Sequence, residues 1–235
     1  NEEINRLGEQ LHPFTTDGEY GRYFNGKSTL TFDKDFVVLE LEELKSKPTL
    51  QQVVMRFLIY KITNSMYLTR NQKKIAIVDE AWSLFSGGGA SSAFIEEGYR
   101  RARKYEGAMI SATQGIDDYY ANPAATAALV NSDWLFILRS KETSVLALEK
   151  RQPIQITDHI LRMIRSLQTV SGQYSDVFVS CPLGYGIGSL YSDPFNVLLS
   201  SSKAEDFEAV NNKVRLQGLS VPQAIEATLI ERGKV

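Results

Sequence analysis
Along this chain, short apolar runs alternate with longer stretches whose apolar residues recur every three or four positions. Residues 74–81 (KIAIVDEA), 107–114 (GAMISATQ) and 133–140 (DWLFILRS) carry nearly continuous apolar runs of strand length, the pattern of strands buried on both faces of a sheet. Between them lie helical patterns. In residues 46–68 the positions Val53, Val54, Phe57, Leu58, Ile62 and Met66 share helical spacing behind a Ser46 cap and Pro48. Residues 93–105 (AFIEEGYRRARKY) read as an amphipathic helix, 122–132 (NPAATAALVNS) as a short one, and 84–92 (LFSGGGASS) as a flexible loop. This β-α-β-α-β alternation predicts an α/β fold: a mostly parallel sheet with helices on both faces.

The flanks extend that core. Residues 1–11 read as a helix already in progress, so a piece cut from a longer protein is expected, and 12–29 as turn-rich. TLTF and FVVLEL read as strands joined by a turn at Asp33–Asp35. After helices at 142–150 and 157–168, the runs DVFVSC, YGIGSLYS and FNVLLSS read as strands that extend the sheet antiparallel. The tail, 204–234, reads as two polar helices with Ser220 as a cap and Gly233 as a stop. The expected division is a domain over residues 1–202 and a helical tail over 203–235.

Composition narrows the classes. The 235 residues are 43% hydrophobic and 23% charged, enough to bury a core. The net charge of −2 gives no global pull toward nucleic acid or an anionic membrane. A single cysteine, Cys181, rules out a disulfide framework or a cysteine metal site within one chain. No apolar run approaches the roughly 20 residues of a membrane span.

Candidate chemistry sits at the strand ends. The run IAIVDE carries Asp79 and Glu80 to the C-terminal tip of its strand, the edge where open α/β sheets bind ligands. There one carboxylate can hold Mg²⁺, usually through water, and the next can polarise an attacking water in phosphoryl transfer. Four apolar residues followed by Asp-Glu form a Walker B pattern. The next strand also ends polar, at Ser111, Thr113 and Gln114, and the Gln114 amide can contact a γ-phosphate or its water. Residues 100–104 gather Arg100, Arg101, Arg103 and Lys104. Glu96 and Glu97, one turn earlier, account for Arg100 and Arg101 as a solvated salt-paired face. Arg103 and Lys104, with Arg139 as an alternative, are candidates to reach a neighbouring subunit's γ-phosphate.

One motif misleads. Residues 21–28 (GRYFNGKS) spell G-x-x-x-x-G-K-[ST], the phosphate-binding loop. A working loop needs a buried strand before it and a helix after it. Here polar FTTDGEY precedes and β-branched STLTF follows, so the match is read as a surface turn, with the true loop upstream.

Together, GRYFNGKSTLTFDKDFVVLELEEL, KKIAIVDEAWSLF and RRARKYEGAMISATQ resemble the C-terminal part of the TraC-like conjugative-transfer ATPases of type IV secretion systems, relatives of the HerA and FtsK motors. The resemblance covers roughly residues 18–200. It implies a RecA-like P-loop ATPase core whose Walker A lies upstream. By resemblance Asp79 holds the metal, Glu80 and Gln114 are catalytic, and Arg103 and Lys104 match an Arg-Lys pair ahead of the Gln114 strand. It further implies ATP and Mg²⁺ as cofactors, a homo-oligomer, expected to be a hexamer, and a cytoplasmic place at the inner membrane beside secretion-channel and coupling proteins. Two other readings are a non-catalytic module that docks such proteins through the tail, and a DNA-translocating motor of the HerA/FtsK type.

Overall fold
The structure is a computed structural model of the 235-residue chain; it describes all residues except 1, 29, 30, 33, 69–71, 87, 88, 152–155 and 235. The chain divides into two compact units, Asn1–Ala112 and Thr113–Val235.

The first unit opens with α1 (Glu2–Leu11), a 3₁₀ turn at His12–Phe14 and the short helix α2 (Gly21–Phe24). Then come α3 (Pro48–Leu68), β1 (Lys74–Val78), α4 (Trp82–Ser86), α5 (Gly89–Arg101) and β2 (Gly107–Ser111). Strands β1 and β2 pair in parallel, with Lys74 opposite Gly107 and Val78 opposite Ser111. The inward face packs on helices. Met109 lies against Gly98 of α5, where an added Cβ would approach its side chain to 3.0 Å, and buried Met66 of α3 lies against Gly107. The other face is open: Ile75 is 63% exposed and Ile77 65%, and their register partners Ala108 and Ile110 are exposed too. Parallel pairs are found almost only with both faces covered, so this face calls for a partner.

The second unit contains α6 (Pro123–Val130), β3 (Leu135–Leu138), α7 (Glu142–Arg151), α8 (Asp158–Ser166), β4 (Thr169–Val170), β5 (Tyr174–Cys181), β6 (Gly184–Tyr191), α9 (Pro194–Leu199), α10 (Ala204–Gln217) and α11 (Val221–Glu231). A four-stranded antiparallel sheet forms around β5, which pairs with β3, β4 and β6. Phe178 on β5 sits in a core with Ile137, Leu148, Leu161 and Ile164. Side chains of Asn122 and Thr157 cap α6 and α8, each contributing about 1 kcal/mol.

Four local expectations change. The run DWLFILRS forms β3 but pairs antiparallel with β5, because β5 offers it a register that places Ile137 opposite Phe178 in the core. FNVLLSS is helix α9, not strand: Asp193 accepts from the Asn196 N–H as N-cap and Pro194 takes the first turn, which outweighs strand propensity. FVVLEL forms no strand among the described residues; Phe36 is 79% and Val38 64% exposed, and a strand without a pairing neighbour has no ladder. In place of a loop over 84–92, α4 runs to Ser86 and α5 starts at Gly89. Residues 29, 30 and 33 of the TLTF strand and its turn, and residues 87–88 of the loop, lie outside the described residues.

The tail helices α10 and α11 pack on α9 around Leu198, Ile225 and Leu229. Ion pairs close this small core: Lys213 with Glu231 and Arg232 with Asp206, each at 2.6 Å. The Ser201 hydroxyl donates to Asp206, and with Arg232 it holds that carboxyl below its usual value of 3.8. The unfolded chain therefore takes up the proton more readily than the folded one. This contribution to stability is fully present above about pH 4 and is lost as pH falls below that through the folded value. Accordingly, Asp206→Asn lowers the urea midpoint at neutral pH, and the gap to the unsubstituted chain narrows as the solution is acidified; a gap that does not change with pH would refute the assignment.

Candidate functional site
Strand β1 ends at Val78 and delivers Asp79 and Glu80, both exposed, beyond its C-terminal tip. The parallel register brings the tip of β2 alongside. Two backbone bonds continue the ladder past the strand ends: Ala112 N–H donates to the Val78 carbonyl and Ala81 N–H to the Ala112 carbonyl, both at 2.9 Å. Ala81 is fully buried, and the turn carrying the two acids is pinned by it. At the tip of β2 the Ser111 hydroxyl meets the Tyr99 hydroxyl at 2.6 Å.

The acids are held differently. The Asp79 Oδ1 accepts from the Glu80 N–H at 2.9 Å. Glu80 has a φ of 51°, in the left-handed region. Its carbonyl accepts from the Ser83 N–H and hydroxyl, at 3.1 and 2.9 Å, and its carboxylate Oε2 accepts the Trp82 indole N–H. None of these local bonds was legible in the sequence, although DEAWS places Trp82 and Ser83 within reach.

Gln114 lies shortly after Ser111 in the chain, at the start of the second unit, and is exposed; the Thr113 hydroxyl donates to the Gly115 carbonyl at 2.9 Å. Arg103 and Lys104 occupy the 3₁₀ turn Ala102–Tyr105 that leads into β2. They stand at the N-terminal end of the parallel pair, the opposite edge from Asp79 and Glu80, so the fold does not bring these four residues together within one chain. Arg100 pairs with Glu96 at 2.9 Å and Arg101 with Glu97 at 3.4 Å, exposed pairs worth a few tenths of a kcal/mol each. Arg101 also lies over the Tyr67 ring at 5.3 Å, and hydrogen bonding to Tyr105 raises its pKa further, so it serves a Tyr67–Tyr105 surface cluster. Burial pushes the Tyr67 phenol up. Arg139, exposed, follows β3 in the second unit.

The motif at 21–28 lacks phosphate-loop geometry. Its helix, Gly21–Phe24, precedes Gly26 and Lys27 instead of following them. The first glycine is needed for packing: a Cβ on Gly21 would lie 2.1 Å from the Thr15 carbonyl oxygen. The Asn25 side chain then donates to the Gly21 carbonyl at 2.9 Å and to that of Phe14 at 3.1 Å, closing a tight knot in which Phe14 contacts Tyr20 and Phe24. A phosphate cradle needs backbone N–H groups aimed at one point from a following helix, and among the described residues none follows Lys27 before the 3₁₀ turn at Glu42–Ser46.

Among the described residues no group of three or more His, Cys, Asp or Glu side chains is placed to hold a metal alone. A paired acid at a strand tip suits Mg²⁺, which takes one or two carboxylates and completes its shell with water and phosphate oxygens. No helix among the described residues is long and apolar enough to cross a membrane.

Comparison with known proteins places this geometry in a family. Residues 2–192 match the TraG P-loop domain. The chain is 36% identical over 222 residues to Protein TraC of Escherichia coli (strain K12), covering 92% of this chain and 25% of that protein. Its fold is similar to VirB4 of Thermoanaerobacter pseudethanolicus, with a TM-score of 0.63 at 19% identity, over 82% of this chain and 51% of that one. The chain thus spans about a quarter of the curated relative it matches. With its parallel pair, acidic strand tip and mixed α/β architecture, the chain belongs to the TraG P-loop domain family.

Proposed function
We propose that this chain is the downstream part of a motor ATPase that hydrolyses ATP to energise type IV secretion, conjugative pilus assembly or substrate transfer. The observation that carries the reading is the Asp79–Glu80 pair at the C-terminal tip of β1, pinned through Ala81 and Ala112 to the neighbouring parallel strand. When bound, Mg²⁺ and ATP supply the electrophilic γ-phosphoryl group. Asp79 holds the cation, directly or through water, and Glu80 orients the attacking water and takes its proton. Gln114, following β2, contacts the γ-phosphate or that water. Arg103 and Lys104, at the far edge, act on the nucleotide of a neighbouring subunit in a homo-oligomeric ring, a hexamer in this reading. The assembly works at the cytoplasmic face of the inner membrane with channel and coupling proteins.

The phosphate-binding loop belongs, in this reading, to upstream polypeptide of a longer parent. Three facts support it: the family is a P-loop family, residues 21–28 lack the geometry, and this chain covers only 25% of TraC and 51% of the VirB4 chain. The open face of β1 and β2, with Ile75, Ile77 and Ile110, is where that polypeptide packs. The test is calorimetric. This chain alone shows no measurable ATP affinity, the longer parent binds Mg·ATP, and Lys27→Ala leaves the parent's affinity unchanged. Tight binding by this chain that disappears in Lys27→Ala would overturn the reading.

A further inference from the structure
The backbone at Glu80 is costly. A non-glycine residue in the left-handed region is strained and persists there only where its surroundings fix it. Several groups do so here. The residue after it, Ala81, is fully buried and donates to the Ala112 carbonyl; Ser83 donates twice to the Glu80 carbonyl; and the Glu80 N–H is held by Asp79. These bonds fix the main chain. The side chain is held by a different residue: the indole N–H of Trp82 donates to Oε2 of the Glu80 carboxylate. Trp82 is 45% exposed, so core packing does not explain a tryptophan at this position.

We propose that Trp82 is a positioning residue for Glu80, its indole N–H fixing the carboxylate at the strand tip where the attacking water must lie. This rests on the reading of Glu80 as the carboxylate that orients that water. The choice of donor has a chemical logic. Indole is a donor only and carries no charge near neutral pH. A lysine or arginine in the same place would stabilise the charged carboxylate by direct attraction and weaken it as a base. A neutral N–H restrains the carboxylate while leaving more of its basicity. The strained φ and the indole contact then act together: the turn lifts the acid off the strand axis, and Trp82 selects its rotamer.

Two measurements test this, and they fail separately. In this chain with Trp134→Phe, Trp82 is the remaining indole, since the sequence has two tryptophans. Adding Glu80→Ala changes Trp82 emission while the circular dichroism spectrum stays the same; unchanged emission would show that the contact is not formed and would overturn the proposal. In the longer parent ATPase, Trp82→Phe lowers kcat about tenfold, part of the ~10²–10⁴-fold that a positioned general base contributes, with KM for ATP within about twofold. Trp82→His, which restores a ring N–H, recovers part of that loss. A Trp82→Phe enzyme with full kcat beside an inactive Glu80→Gln enzyme overturns the positioning role and leaves the ATPase reading intact. A rise in KM with a changed dichroism spectrum assigns Trp82 a structural role and overturns the proposal. Full activity in Glu80→Gln removes the catalytic reading, and the positioning role with it, whatever the emission shows.

Discussion

In the longer parent, Glu80→Gln abolishes ATP turnover and leaves ATP binding intact. The amide keeps the size of the side chain and an oxygen that accepts the Trp82 N–H, so the turn at the end of β1 survives. What is lost is the negative charge and the capacity to take a proton from water. A positioned base contributes ~10²–10⁴-fold to such a step, so kcat falls by about that factor. In the proposed function the phosphate and Mg²⁺ contacts fall to other groups, so affinity for Mg·ATP is expected to change little. Steady-state hydrolysis and equilibrium binding on the same preparation separate the two effects. Undiminished hydrolysis in Glu80→Gln would refute the role.

Phe178→Ala has the largest expected effect on stability. Phe178 is 1% exposed at the middle of β5, where it lies opposite Ile137 on β3 and Ile187 on β6. Its ring lies 6.1 Å from that of Tyr185 and packs in the core of the second unit with Leu148 and Ile164. Truncation removes the transfer free energy of the ring and leaves a cavity between a sheet and two helices. The expected loss is about 3–5 kcal/mol. The adjacent strand supplies a control. Phe136 on β3 is 62% exposed on the opposite face of the sheet, opposite Val179 in the register. Its truncation costs about 0.5 kcal/mol or less. Urea unfolding of both variants checks the pair; equal midpoints would contradict the assignment of inner and outer faces.

The strand pattern was legible where a single period dominates. KIAIVDEA and GAMISATQ form β1 and β2, in parallel, because unbroken apolar runs ending in polar residues have few other solutions. The helices read over residues 46–68, 122–132 and 157–168 are present as α3, α6 and α8. Helix α3 starts at Pro48 as read, but Ser46 ends the preceding 3₁₀ turn and does not cap it, its hydroxyl donating to the Glu43 carbonyl; the Asn122 and Thr157 caps emerged only with the structure. The rejection of residues 21–28 as a phosphate loop came from their flanks, and the reason for Gly21 emerged only with the Thr15 carbonyl beside it. Other features escaped for physical reasons. DWLFILRS is as apolar as a parallel strand, and only the competing partner β5 decides its direction. FNVLLSS has strand composition, yet the Asp193–Pro194 start decides for helix, a signal present in the letters but outweighed by the apolar run. The pair Asp79 and Glu80 was readable as chemistry. The left-handed turn at Glu80 and its indole contact were not: the turn depends on where Ala81 meets Ala112 in space, and the contact on the side-chain geometry of Glu80 and Trp82 within that turn. The basic run shows the same limit: spacing explains the Glu96–Arg100 and Glu97–Arg101 pairs, while the position of Arg103 and Lys104 at the far end of β2 required the strand direction.

The most direct measurement is a structure of the longer parent with Mg²⁺ and a non-hydrolysable ATP analogue. Triphosphate is expected on a strand–loop–helix upstream of this chain, with Asp79 on the cation or its water and Glu80 facing the γ-phosphate. A nucleotide seated on the backbone amides of residues 23–27, far from the tip of β1, would contradict it.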